Sequence, residues 1–276
     1  MAPLPLDLLT GAMRQAARTA ILPRFRRLAP GDIAEKTGFA DLVTLADTEA
    51  EALVTAALAR DWPEARVMGE EGTSADPALR DAMAVAALAV ILDPVDGTWN
   101  FARGLGVFGM LAAVVRQGQV AAGVLYDPLG DDWIVVSAGG PAVMCDGQGA
   151  QRVLRTSAEA DPARMTGYFP AALFPAAQQR AGLLAGMGFG RVTTLRCSCH
   201  EYRLMAQGLS EFVLSGPEPH PWDHAAGALA VTQAGGVARF LDGTPYDLAR
   251  REGVLLTASS EAVWQQVAAA YSCLMD

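Results

Sequence analysis

The chain has 276 residues, just over half of them apolar and 18% charged, a composition that excludes intrinsic disorder and suits one compact core. Its formal charge of −9, with no basic run, argues against a nucleic-acid-binding surface, because phosphate-backbone affinity comes from clustered Lys and Arg. The longest apolar stretch, Ala82 to Leu92, has 11 residues against the roughly 20 that span a bilayer, and the N-terminus lacks the pattern of a secretory signal, so the reading is a cytoplasmic chain with no membrane partner.

Residues 5 to 27 carry apolar positions at helical spacing, which predicts an N-terminal helix. A second helix is expected from Thr44 or Asp47 to Arg60, stopped by Trp62-Pro63, followed by a short strand at Arg66 to Met68. Ala82 to Leu92 reads as a buried strand leading into a sharp loop. Three further strands near 108–116, 120–126 and 133–137 are separated by turn residues and predict an antiparallel meander. After about residue 150, short strands alternate with helices: strands at 191–195, 212–214 and 254–257, and helices at 199–207, 223–234 and from 261 onward. No repeat or linker appears, so one domain over 1–276 is expected, in which 1–150 and 151–276 could form two lobes. The cysteines Cys145, Cys197, Cys199 and Cys273 show no disulfide framework, and reduced thiols are expected.

Three acidic segments carry chemistry. Asp93-Pro94-Val95-Asp96-Gly97-Thr98 places two carboxylates three apart beyond a buried strand, with the Val95 carbonyl as a further oxygen, and hard cations such as Mg²⁺ take such ligands. The same string reads equally as a surface turn rich in Asp, Pro and Gly. Glu70-Glu71 follows a short strand and reads as ligand or as a solvated acidic turn. Asp223, opening a helix, reads as ligand, as N-cap, or as both. Cys197, Cys199 and His200, with His220 and His224, lack the firm four-ligand spacing of a zinc site, and packed thiols are the expectation. Lys36 is the only lysine among 21 basic residues, a bias that reads as composition rather than mechanism.

Gly69-Glu70-Glu71, Asp93-Pro94-Val95-Asp96-Gly97-Thr98-Trp99-Asn100-Phe101 and Trp222-Asp223-His224-Ala225-Ala226-Gly227, with Asp41 to Asp47 and Gln233 to Gly236, resemble the signatures of the inositol monophosphatase family in order and spacing. The resemblance covers residues from about 36 to 245. It implies an α/β chain folded as a layered αβαβα sandwich of the inositol monophosphatase and fructose-1,6-bisphosphatase type. It also implies a Li⁺-sensitive phosphomonoesterase acting on a small phosphorylated metabolite, a homodimer, and two to three Mg²⁺ ions.

Carried over by position, Glu70, Asp93 and the Val95 carbonyl would bind one ion, Asp93, Asp96 and Asp223 a second, and Glu70 with waters a third. Thr98 and Asp47 would position and deprotonate the attacking water, with Glu70 part of the catalytic set. Asp96, Gly97, Thr98, Arg196 and Ser198 would face the substrate. Two departures stand out. Arg196-Cys197-Ser198-Cys199-His200-Glu201 replaces a Gly-Ser-Ala-Ala-like turn, and Gly216 stands where family members often place a Glu, with Glu218 or Glu211 as nearby substitutes. Inositol 1-phosphate or a similar small metabolite phosphate is therefore the expected substrate, with histidinol phosphate, a sugar bisphosphate or a 3′-phosphoadenosine nucleotide as alternatives. A non-catalytic metal-binding relative is the reading from another class.

Overall fold

The computed structural model describes residues 4–39 and 41–275. Helix α1 (Leu6–Ala16) continues through a π-helical turn at Ala17–Ile21, shorter than the stretch expected from periodicity. A hairpin of β1 (Ile33–Gly38) and β2 (Asp41–Thr44) then delivers the chain to α2 (Leu45–Asp61). Thr44 caps α2 in a capping box, its hydroxyl accepting from the Ala46 amide while Asp47 reaches back to the Thr44 amide. Next come β3 (Arg66–Gly69), the short α3 (Glu70–Ala75), α4 (Ala78–Val85), β4 (Leu88–Asp96) and α5 (Thr98–Ala102).

The meander is present as β5 (Gly109–Arg116), β6 (Gln119–Asp127) and β7 (Asp132–Ser137), extended by β8 (Val143–Asp146) and β9 (Gln151–Val153). Together with β3 and β4 these strands form one seven-stranded sheet in sequence order, antiparallel except for the β3–β4 pair. A second sheet of five strands is ordered β11-β10-β12-β14-β13, from β10 (Thr166–Tyr168), β11 (Arg191–Thr193), β12 (Phe212–Leu214), β13 (Val237–Phe240) and β14 (Leu255–Ala258). The remaining helices are α6 (Ala176–Gly186), α7 (Ser198–Ala206), α8 (Pro221–Gln233) and α9 (Glu261–Ala270).

Alternation along β4 and β5 builds the layers. Val90, Leu92, Ala112 and Val114 pack on Leu9, Met13, Ala50 and Val54 of α1 and α2, whereas Ala89, Ile91, Leu111 and Ala113 pack on Tyr202, Met205, Ala226 and Ala230 of α7 and α8. The five-stranded sheet covers the far side of α7 and α8. Its outer face, through Phe212, Leu214 and Leu256, buries Val263, Trp264 and Val267 of α9 and the ring of Tyr271. The result is the αβαβα sandwich.

Two expectations are corrected. Ala82 to Leu92 is not one strand: its first residues finish α4, and the strand begins at Leu88. A strand covered on both faces reads as an unbroken apolar run, so a helix end abutting it leaves no compositional seam. Asp223 is not an N-cap either. α8 starts earlier, with His220 at the N-cap and Pro221 in the first turn, where proline's fixed φ and missing N–H are tolerated.

Candidate active site

The seven-stranded sheet sets the geometry through an irregularity in β4. Asp93 pairs with Leu111 and Asp96 with Gly109, so three steps along β4 match two along β5. Residues three apart in a regular strand point to opposite faces; one extra residue in a bulge returns both to the same side. The Asp93 and Asp96 carboxylates thereby converge with that of Asp223 from the first turn of α8, each offering an oxygen within 4.8 Å of the others.

All three carboxyls are pushed above the usual aspartate range. For Asp93 and Asp223, burial is the largest cause, followed by the charge of Glu70 and then Asp96. Burial also dominates at Asp96, opposed by donors from the start of α7: the Cys199 amide hydrogen-bonds Oδ2, and the Cys197 thiol lies 3.3 Å from the same oxygen. Three mutually repelling carboxylates out of water are what a divalent cation relieves, and an all-oxygen set matches Mg²⁺ rather than the sulfur and nitrogen preferred by zinc. The donor set fits the ion that the sequence implies.

Glu70 stands outside that cluster but close enough for its charge to raise Asp93, Asp223 and Asp47. Its Oε1 and that of Glu71 each lie 2.8 Å from the Lys36 ammonium, which is 14% exposed. Burial, and then Glu70, push Glu71 up to about 7. The lone lysine set aside on composition is thus a partner of the acidic site; its signal was its singularity in a chain that otherwise uses arginine.

Thr98 opens α5. Its hydroxyl lies 3.0 Å from Asp47 Oδ1 and 2.9 Å from the Val95 carbonyl, while Asp47 Oδ2 accepts from the Thr44 amide at 2.9 Å. Burial pushes Asp47 up to about 7. Gly97 precedes Thr98 with φ of +88°, and a Cβ there would come within 2.9 Å of the Val107 carbonyl, so both conformation and space require glycine.

Asn100 staples α5 to the segment before α7, its Nδ2 donating at 2.8 Å to the carbonyls of Val107 and Leu195. Local sequence offered no signal for this role. Arg196 has φ of +53° and lays its guanidinium 4.1 Å over the Trp99 ring, whose other neighbour is Arg103 at 3.9 Å. Ser198 begins α7, and its backbone amide contributes to holding Asp96.

Other candidates are spoken for. Glu211 accepts from the Thr166 amide at 2.6 Å, Glu218 is exposed, and Gly216 packs toward Leu173. The cysteines and histidines do not converge. The Cys199 thiol points to the Met110 and Tyr126 carbonyls, His200 bonds the Phe108 carbonyl, His220 bonds Arg80, and His224 bonds Tyr202. Among the described residues, the Asp93, Asp96 and Asp223 group is the metal-type cluster present.

A family profile described as "Inositol monophosphatase family" matches residues 6–273. The chain belongs to the inositol monophosphatase family. It is 30% identical over 228 residues to the protein named Nus factor SuhB of Escherichia coli K12, covering 78% of each. With the fructose-1,6-bisphosphatase/inositol-1-monophosphatase of Thermotoga maritima it is 27% identical over 214 residues, 77% of this chain and 76% of the relative. A solved inositol monophosphatase from Zymomonas mobilis, 24% identical, superposes with a TM-score of 0.78 over 99% of this chain and 100% of that one. An IMPase of Thermotoga maritima gives 0.80 at 22% identity, over 98% and 97%. Fold and family are therefore in agreement.

Proposed function

We propose that this chain is a Mg²⁺-dependent phosphomonoesterase that hydrolyses inositol 1-phosphate or a similar small metabolite phosphate. The observation that carries the reading is the convergence of Asp93, Asp96 and Asp223 at the end of a bulged strand. Glu70, Asp93 and the Val95 carbonyl would hold one Mg²⁺, Asp93, Asp96 and Asp223 a second, and Glu70 a third. Mg²⁺ supplies charge neutralisation for the phosphoryl group and a lowered pKa for the attacking water.

The chain's own residues do the rest. Asp47, buried with its carboxyl pushed up to about 7, takes the proton of the attacking water through the Thr98 hydroxyl. The amides of Gly97 and Thr98, at the left-handed turn into α5, face the phosphate oxygens. Asp96, Arg196 and Ser198 would line the side from which the leaving group departs, its oxygen taking a proton from solvent water as the P–O bond breaks. Arg196 through Glu201, with its buried thiols, is where this chain differs from an inositol-type turn and where histidinol phosphate, sugar bisphosphate or 3′-phosphoadenosine nucleotide substrates would be distinguished. A cytoplasmic homodimer acting on small molecules rather than nucleic acid completes the reading.

The test is phosphate release from inositol 1-phosphate, histidinol phosphate, fructose 1,6-bisphosphate and 3′-phosphoadenosine 5′-phosphate under Mg²⁺, with and without Li⁺. Li⁺-sensitive turnover of one substrate supports the reading and names its class. The Escherichia coli relative is named as a Nus factor rather than as a phosphatase; metal binding with no turnover of any ester would move the reading toward that name.

A further inference from the structure

The fold places Glu51 one helical turn after Asp47 on α2, on the same face. Its two carboxylate oxygens take separate donors: Oε2 accepts from the Glu71 amide at 2.9 Å and Oε1 from the Gly72 amide at 2.8 Å. These amides belong to the first turn of α3, whose N-cap, Gly69, has no side chain to satisfy them. Gly69 also makes the room. A Cβ on it would lie 2.0 Å from Glu51 Oε2 and 2.1 Å from the carboxyl carbon, so the carboxylate occupies the notch that the missing side chain leaves.

The turn held in this way is the one that carries Glu70. The geometry points to Glu51 as the positioning residue for Glu70: by capping α3 from α2, its carboxylate sets where the Glu70 carboxylate stands relative to Asp93 and Asp223. This rests on the reading of Glu70 as a metal ligand. It also gives the glycine of Gly69-Glu70-Glu71 a physical reason, since Gly69 adopts an extended φ of −91° that any residue could take and only the neighbouring carboxylate demands its absent Cβ. A single helix then sets both arms of the site, Asp47 toward Thr98 and Glu51 toward Glu70.

The experiment measures Mn²⁺ binding to the full chain by electron paramagnetic resonance, with thermal unfolding in EDTA as a check on folding. E70Q, E51Q, G69A and the E51Q/E70Q double variant are compared with wild type. The amide introduced by E51Q would retain one acceptor and set an N–H₂ group against a backbone N–H, whereas G69A keeps Glu51 intact and displaces it; if E51Q does not fold, G69A carries the test. Both are expected to weaken Mn²⁺ binding about 10- to 100-fold, as loss of a partner that orients a ligand does. The double variant is expected to bind no worse than E70Q alone. Wild-type binding in both E51Q and G69A, or effects of E51Q and E70Q that multiply in the double variant, would overturn the proposal. Wild-type binding in E70Q would instead remove Glu70 from the ligand set, and the positioning role with it.

Discussion

Thr98 Oγ1 stands 3.0 Å from Asp47 Oδ1, joining the start of α5 to the start of α2 across 51 residues of sequence. The Asp47 carboxyl is buried, and its other oxygen is held by Thr44. Desolvation favours its protonated form and pushes it up to about 7. A base works when deprotonated, and a cation held by Glu70 would offset the Glu70 charge that helps to raise Asp47, so phosphatase activity is expected to rise with pH through a limb at or below about 7. In D47N, kcat should fall about 10²- to 10⁴-fold and lose that limb, and T98A should fall in the same direction. A kcat–pH profile that keeps the limb in D47N would assign it to another group.

Asp93 combines burial with repulsion from Glu70, Asp96 and Asp223. Without a cation this repulsion costs stability, and the proposed Mg²⁺ would relieve it. In EDTA at pH 8, D93N is expected to unfold at a higher temperature than wild type. Saturating Mg²⁺ should stabilise the wild type, by about 2.7 kcal/mol at a hundredfold excess over Kd, and leave D93N unmoved. Differential scanning fluorimetry across a Mg²⁺ series reads both effects, and equal Mg²⁺ shifts in the two proteins would contradict the assignment.

Glu201 is buried behind the Arg196 to Cys199 segment, its Oε1 accepting from the Leu195 amide at 2.7 Å and from Thr194 Oγ1 at 3.1 Å. Burial pushes it up to about 8. Between the usual glutamate range near 4.3 and that value, the folded state keeps a proton that the unfolded state releases, so this group's contribution to stability falls as pH rises. The E201Q substitution would preserve the accepting oxygen and remove the titration. Urea unfolding in EDTA should therefore show E201Q close to wild type at pH 5 and more stable at pH 9. Parallel curves would mean that the folded protein accommodates the charge without cost.

The thiols offer a check on the expectation that they are packed rather than bound to zinc. Cys197 and Cys199 are buried and their thiols are pushed well up, chiefly by burial, while Cys145 is nearly inaccessible and Cys273 is partly exposed. Since the thiolate is the reactive form, the native protein treated with Ellman's reagent should yield no more than one fast thiol, and the unfolded protein four. Atomic absorption on protein purified without chelator should find no stoichiometric zinc.

Much of the site was legible in the sequence because its residues sit in short strings with their own local logic. Asp93, Asp96, Gly97 and Thr98 share one β-to-α junction, and glycine at 97 is required by a turn that the neighbouring residues already imply. The meander from Gly109 to Ser137 was readable from alternation and turn residues, which act over a few positions. Composition argued against disorder, the shortness of the longest apolar stretch argued against a membrane-spanning helix, and the order of the acidic strings indicated the family.

Tertiary structure decided the rest, and in each instance the reason is a contact between residues distant in sequence. Asp93 and Asp96 face one point because β5 pairs with β4 out of step, a register that neither strand specifies alone. Lys36 matters because a hairpin carries it onto Glu70 and Glu71, 34 and 35 residues away, and Glu51 because α2 lies beside the turn after β3. The break in Ala82 to Leu92 is set by which residues other helices and strands cover, not by their own apolarity. Hydrogen bonds and packing over such separations leave no local periodicity, so the sequence determined which carboxylates were available and the fold determined where they meet.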